Sequence, residues 1–175
     1  MVAEVNRTIE ALRFAIQMEI DGKEYYLKIS RKSRDEVGKK LLLVLAIAED
    51  VHRQKFEFIF ETIQLKQAWP SIKLLPSAKG IRTIFAESLG QIKPGSKGTS
   101  TEIAALNKAI DMESRSYDYY KSQSKRTARG VEMEFYEAVA AEEQVHHQVL
   151  LDYKEYLSDP AAWFVKSEHP SLDGA

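Results

Sequence analysis

The strongest constraint on this chain is that it repeats itself. Residues 11–30 (ALRFAIQMEIDGKEYYLKIS) and 105–124 (ALNKAIDMESRSYDYYKSQS) agree at nine of twenty positions, at an offset of 94. At the same offset LAIAEDVH, ending at His52, falls on VAAEEQVH, ending at His146, with no gap inside either half. Two copies make a duplicated helical hairpin and not a many-unit solenoid. Glu, Lys, Leu and Ala dominate both copies, as in long helices.

Glycine and proline gather instead between Trp69 and Ser100, where Pro70, Pro76, Gly80, Gly90, Pro94, Gly95 and Gly98 mark a connector. Within it, Ile81–Leu89 is expected to form one short helix. Each copy breaks once near its middle, around Ser33-Arg34-Asp35 with Gly38 behind it, and at Ala128-Arg129-Gly130. Thr99 followed by Glu102 reads as a capping box opening the third helix, and Ser158-Asp159-Pro160 closes the fourth. These signals predict helices near 6–33, 36–67, 100–128 and 131–157. The expected fold is an all-α four-helix bundle over residues 1–158, with a long crossover (68–99) between helices two and three. A tail, 159–175, follows.

Each predicted helix has an apolar seam at steps of three and four residues, the signature of one buried face. The seams run through Leu12 and Ile16, through Leu45 and Phe56, through Leu106 and Ile110, and through Val139 and Leu150. Glu19, Glu49, His52, Glu113, Glu143 and His146 interrupt them, and Lys23 is the one other charge. Buried unpaired carboxylates are costly, so four in one core call for a counter-charge. Two divalent ions balance four carboxylates. Glu49 with His52, and Glu143 with His146, have the Glu-x-x-His spacing that sets two ligands one turn apart on one face.

The heights agree as well. Glu19 and Glu49 are 30 residues apart about the first predicted turn, and Glu113 and Glu143 are 30 apart about the second. Antiparallel folding at those turns brings each pair level, roughly 20 Å from its turn at about 1.5 Å per residue. A single Glu-x-x-His is weak evidence. Two, each with a glutamate 30 residues upstream and each set in an apolar seam, are strong. The alternative, solvated glutamates paired with lysines, leaves these groups no wet place to go.

At these residues the chain resembles the ferritin-like di-iron carboxylate proteins, and among them the rubrerythrin-like branch. The resemblance covers about 6–157 and rests on Glu19, Glu49-x-x-His52, Glu113 and Glu143-x-x-His146 in family order, with the long crossover between helices two and three. It implies a ferritin-like bundle holding two iron ions, with manganese or zinc as other candidates. Glu49 and Glu143 would bridge the ions. Glu19 with His52, and Glu113 with His146, would be terminal ligands. Two departures stand out. Ser116 occupies the place of a further glutamate that rubrerythrins carry one turn after the third-helix ligand. The absence of cysteine removes the cysteine-ligated rubredoxin iron site of rubrerythrins proper. Electrons would then come from an external donor such as a rubredoxin.

Tyr26 and Tyr120 lie seven residues after Glu19 and Glu113, hence on the same faces, and are expected to hydrogen-bond a ligand carboxylate or donate to bound peroxide. Core packing with a satisfied hydroxyl is the plainer reading. Glu142 points about 100° away from Glu143 and is expected to be solvated or to support a ligand. His147 is expected at the surface and His169 in the tail. Met18 and Met112 read as core filler. Trp163-Phe164 is expected to cap one end of the bundle or to pack on a second subunit. Lys121, Lys125, Arg126 and Arg129 form a basic cluster at the second hairpin, read either as a solvated face or as a docking site for an acidic donor.

Composition excludes much else. Lys and Arg number 25 against 26 Asp and Glu, a net charge of -1, which argues against nucleic-acid binding. The longest apolar run, Leu41–Ala48, is too short to cross a membrane, and no signal-peptide core follows the N-terminus. A cytoplasmic protein is expected. The favoured function is a non-haem di-iron oxidoreductase reducing hydrogen peroxide or dioxygen. An iron-oxidising storage protein and a metal-stabilised structural bundle are the alternatives. A homodimer is expected, and the long crossover would permit two chains to exchange hairpins.

Overall fold

The computed structural model describes residues 2–66, 68–72, 80, 81, 83, 85, 97–127 and 130–163. Four long helices dominate: α1 (Val2–Ser30), α2 (Glu36–Lys66), α3 (Ser100–Arg126) and α4 (Gly130–Ser158). They build the expected all-α four-helix bundle, and the differences from expectation lie at helix ends. α1 begins at Val2, earlier than residue 6, and stops at Ser30, short of 33. The amides of Lys32 and Ser33 both turn back to the Ile29 carbonyl, at 3.1 and 3.0 Å, which closes a turn. Asp35 then accepts from the Gly38 amide at 2.8 Å, satisfying a free donor of the first turn of α2.

The capping box at α3 is present. The Glu102 amide donates to Thr99 Oγ1 at 3.2 Å, and the Thr99 amide donates to Glu102 Oε2 at 2.9 Å. α3 ends at Arg126 because Thr127 turns extended, at φ -85° and ψ 131°. The expected break at Ala128 and Arg129 lies outside the described residues. Beyond α4, Asp159 caps a helical turn over 160–163, with Pro160 at its first position. Trp163 there meets Tyr156 edge-on at 5.9 Å, so it caps the bundle from within the chain. Phe164 and His169 lie outside the described residues. In the crossover Gly80, Ile81, Thr83 and Phe85 are helical, the start of the expected short helix. The other residues of 81–89 lie outside the described residues. Ile81 and Phe85 are buried against the core.

Helices pack closely within each hairpin, and the hairpins meet mainly through long side chains. Tyr25 donates to the Ala105 carbonyl at 3.0 Å, and Tyr119 donates to the Ala11 carbonyl at 2.8 Å. Both donors and both acceptors are related by the offset of 94, so the two halves dock about a pseudo-twofold axis with α1 antiparallel to α3. The core divides in two. One cluster, with Tyr26, Leu41, Leu45, Leu106, Leu150 and Leu157, lies towards the α1–α2 turn. The other, with Leu12, Phe56, Ile59, Tyr120, Tyr136 and Val139, lies towards the α3–α4 turn. Each large side chain so buried contributes roughly 1.5–3 kcal/mol, which offsets the cost of the polar layer between them. Gly38 has a packing reason: a Cβ there would fall on the Tyr153 ring and hydroxyl.

Candidate metal centre

The polar layer holds all six residues that interrupt the seams. α1 brings Glu19, α2 brings Glu49 and His52, α3 brings Glu113, and α4 brings Glu143 and His146. None is more than 3% exposed. Their donor atoms form two groups, each within 4.8 Å: Glu19, Glu49, His52 and Glu143, and Glu49, Glu113, Glu143 and His146. Glu49 and Glu143 are common to both. Each group offers three carboxylates and one imidazole. Lys23, the other seam charge, leaves the core and pairs with Asp50 at 2.7 Å.

The donors converge without satisfying one another. His52 Nδ1 lies 3.4 Å from Glu19 Oε2 and 3.2 Å from Glu143 Oε1. His146 Nδ1 lies 3.1 Å from Glu49 Oε1 and 3.6 Å from Glu113 Oε2. All six of these atoms are buried with no hydrogen-bond partner in the protein. An orphaned buried polar atom costs about 1–3 kcal/mol, more when charged. Lone pairs aimed at common points are what cations satisfy, so these residues fit a pair of metal ions.

Two tyrosines complete the layer. Tyr26 donates to Glu113 Oε1, and Tyr120 donates to Glu19 Oε1. Each bond uses one carboxylate oxygen and leaves the other, Glu113 Oε2 or Glu19 Oε2, turned towards the histidines. Both hydroxyls thus bind a ligand-type carboxylate, and each serves the glutamate of the opposite hairpin. Burial, reinforced by the neighbouring carboxylates, raises both tyrosines well above the ordinary range, so they remain protonated.

The carboxylates titrate according to their neighbours. Burial, and then the charges of the other glutamates, raise Glu49 and Glu143 well above the usual carboxylate range. Burial also raises Glu19, but the His52 imidazole, the neighbouring Glu49 and the Tyr120 hydroxyl together outweigh burial and bring it below its ordinary value. Burial alone would lower His146; Glu113, Glu143 and Glu142 outweigh it and lift the imidazole to about 9. Without a counter-cation the site therefore holds protons, chiefly on the two shared glutamates and the histidines.

Of the two places expected for Glu142, the structure has the supporting one: it is buried at 4% exposure, not solvated, and its charge acts on His146. His147 is half-buried rather than fully at the surface, and Met18 and Met112 are half-buried beside the site glutamates. Lys125 and Arg126 are exposed and Lys121 half-buried, while Arg129 lies outside the described residues. Sequence reasoning passed over Tyr25 and Tyr119, which tie the hairpins together. Their signal was present in the Tyr-Tyr pair repeated at 25–26 and 119–120.

Residues 10–79 match the rubrerythrin family model, a stretch that includes Glu19, Glu49 and His52. The match fits the rubrerythrin-like branch of the ferritin-like di-iron carboxylate superfamily. No curated protein and no solved structure matches the chain. Among the described residues, no helix is long and apolar enough to cross a membrane.

Proposed function

We propose that this rubrerythrin-like bundle is a cytoplasmic non-haem di-iron oxidoreductase that reduces hydrogen peroxide or dioxygen with electrons from an external donor. The observation that carries the reading is the pair of donor groups sharing Glu49 and Glu143 in a dry interior. Glu19 and His52 would hold one ion, Glu113 and His146 the other, with Glu49 and Glu143 between them. An oxygen-rich set with one imidazole per ion favours iron over zinc. Two iron ions held there would supply two electrons at adjacent Lewis-acidic positions, which is what reductive cleavage of an O–O bond needs.

The remaining work falls to the chain. Converting one peroxide to two waters takes two electrons and two protons. Tyr26 and Tyr120 hold protons at Glu113 Oε1 and Glu19 Oε1, beside the oxygens that face the metal positions. Their raised pKa values keep them as donors and not as anions. The two apolar clusters exclude bulk water on either side of the layer, which strengthens every electrostatic interaction within it. These 175 residues hold no cysteine to ligate an electron-relay iron, and in this reading the electrons come from an external donor such as a rubredoxin or a small molecule.

The test is anaerobic loading with ferrous iron, followed by rapid mixing with peroxide and, separately, with dioxygen. The near-ultraviolet absorption of a diferric centre reports the reaction. Fast oxidation by peroxide with slow oxidation by dioxygen supports a peroxidase. The reverse order supports an oxidase, or an iron-oxidising storage role if many irons turn over per site. Stoichiometric iron binding with no band from either oxidant overturns the redox reading and leaves a structural metal site.

A further inference from the structure

A connected run of aromatic rings leads from the polar layer to solvent. Tyr120, whose hydroxyl donates to Glu19 Oε1, stacks on Tyr136 with 6.2 Å between ring centroids and 24° between planes. Tyr136 meets Trp69 at 5.6 Å. Phe56 and Phe135 pack beside them, Phe56 at 5.4 Å from Tyr120 and Phe135 at 6.0 Å from Trp69. Tyr120 and Tyr136 are buried, whereas Trp69 is only half-buried and reaches the surface.

The internal duplication supplies a control. At the offset of 94, Tyr120 corresponds to Tyr26, and Phe56, Phe135 and Tyr136 correspond to Leu150, Leu41 and Leu42. Those three leucines share a core cluster with Tyr26. Both tyrosines hold a site carboxylate, but rings back Tyr120 where leucines back Tyr26. The bundle itself does not require the rings, because the other half folds without them. Trp69 corresponds to Trp163, which packs on Tyr156 at the opposite end of the bundle.

Proton chemistry decides what each ring can do. A tyrosine gives up an electron readily only where its hydroxyl proton has an acceptor. Tyr120 has one in Glu19 Oε1. The Tyr136 hydroxyl is buried without a partner, so its ring can pass an electron but not hold the vacancy. Tyr119, at 5.5 Å from Tyr120, donates to the Ala11 carbonyl, which is no base, and beyond it stands Phe14. That branch is closed. Indole can be oxidised without losing a proton, and Trp69 Nε1, also buried without a partner, keeps its hydrogen.

We propose that Tyr120, Tyr136 and Trp69 form an electron relay that completes the reduction of peroxide when the centre is one electron short, and that moves the resulting vacancy to the surface. The relay rests on the peroxide-reducing reading above. Cleaving hydrogen peroxide to two waters takes two electrons, and two protons drawn from water. A chain holding one ferrous ion has one electron to give. Tyr120 gives the other, and its hydroxyl proton passes to Glu19 Oε1. Trp69 then gives an electron across the Tyr136 ring to the Tyr120 radical, which takes its proton back from Glu19 Oε1. Trp69 is left as a radical cation at the surface, where a one-electron reductant of the ascorbate class restores it. Oxidising power is so carried away from the buried carboxylates and imidazoles.

The test loads the full chain anaerobically with one or with two ferrous ions, mixes it with peroxide and freezes it for electron paramagnetic resonance. Near-ultraviolet absorption follows iron oxidation, circular dichroism checks the folding of each variant, and peptide mass spectrometry locates oxidised indole, which has only two places to form, Trp69 and Trp163. The wild type with one ion is expected to show an indole radical and oxidation at Trp69, about tenfold more than with two. Trp69→Phe is expected to lose the indole signal and prolong a tyrosyl signal about tenfold, with iron oxidised within about twofold of the wild-type rate. Tyr136→Leu, which copies Leu42 of the first hairpin, is expected to do the same with Trp69 intact. Trp163→Phe is expected to change none of these signals. If peroxide oxidises no bound iron, the peroxide-reducing reading fails and the relay with it. Iron oxidation with no indole radical, or an indole radical that survives Trp69→Phe, overturns the relay alone. An indole signal undiminished in Tyr136→Leu overturns the path through Tyr136.

Discussion

The Tyr26 hydroxyl crosses the bundle to Glu113 and not to Glu19, the glutamate seven residues before it on its own helix. Tyr120 makes the reciprocal bond to Glu19. Each terminal carboxylate is therefore oriented by the opposite half of the duplication, and the centre is assembled only where the hairpins dock. Replacing Tyr26 or Tyr120 with Phe leaves a buried carboxylate oxygen unpaired. Each substitution is expected to cost the metal-free protein about 1–3 kcal/mol by chemical denaturation. Each is also expected to weaken metal binding roughly 10- to 100-fold. Equal effects at the two positions would reflect the pseudo-twofold; a loss at only one would contradict it.

The sharing of Glu49 and Glu143 predicts an asymmetry among ligand variants. His52→Ala removes a donor from one group only, and His146→Ala from the other only. Each is expected to retain about one ion of two, by elemental analysis after loading and desalting. Glu49→Ala or Glu143→Ala damages both groups and is expected to retain well under one. Equal losses from all four variants would show that the ions bind only as a pair.

Stability should depend on pH in opposite ways with and without metal. Glu49 and Glu143 have raised folded-state values, so protonation stabilises the metal-free fold below their ordinary range, and that stability is lost as pH rises. His146, raised to about 9, contributes stability fully present below its ordinary 6.5 and lost as pH climbs through about 9. Glu19 is lowered, so its contribution fails only in acid. The melting temperature of metal-free protein is expected to fall between about pH 5 and about pH 9. Metal replaces the protons, so the gap between loaded and metal-free protein should widen with pH. Calorimetry across this range checks it, and metal titration in weak buffer should release protons.

Gly38→Ala places a methyl group where the Tyr153 hydroxyl sits. Tyr153 is buried at 1% exposure, so its rigid ring must shift within the core to admit the methyl group. The expected cost is about 1–3 kcal/mol in chemical denaturation, as for other overpacked cores. An unchanged midpoint would mean that α4 slides past the start of α2 without penalty.

Much of this molecule is written in local sequence. Apolar positions at steps of three and four mark the four helices, and the repeat at 94 identifies two hairpins. Six polar residues inside apolar seams mark the inward layer, because a side chain's face follows from its position on a helix of known pitch. The Thr99–Glu102 cap is legible for the same reason: all of its atoms lie within one turn. The two bonds of Tyr26 and Tyr120, the division of six donors into two groups, and the burial of Glu142 are not local. They depend on how far one hairpin is shifted and rotated against the other, and that is set by the packing of the whole interface. Helical periodicity alone thus specifies which groups face the core. The tertiary structure decided which of them meet, because side chains 87 to 101 residues apart, such as Tyr26 with Glu113 and Tyr120 with Glu19, are brought together only by the docking of helices.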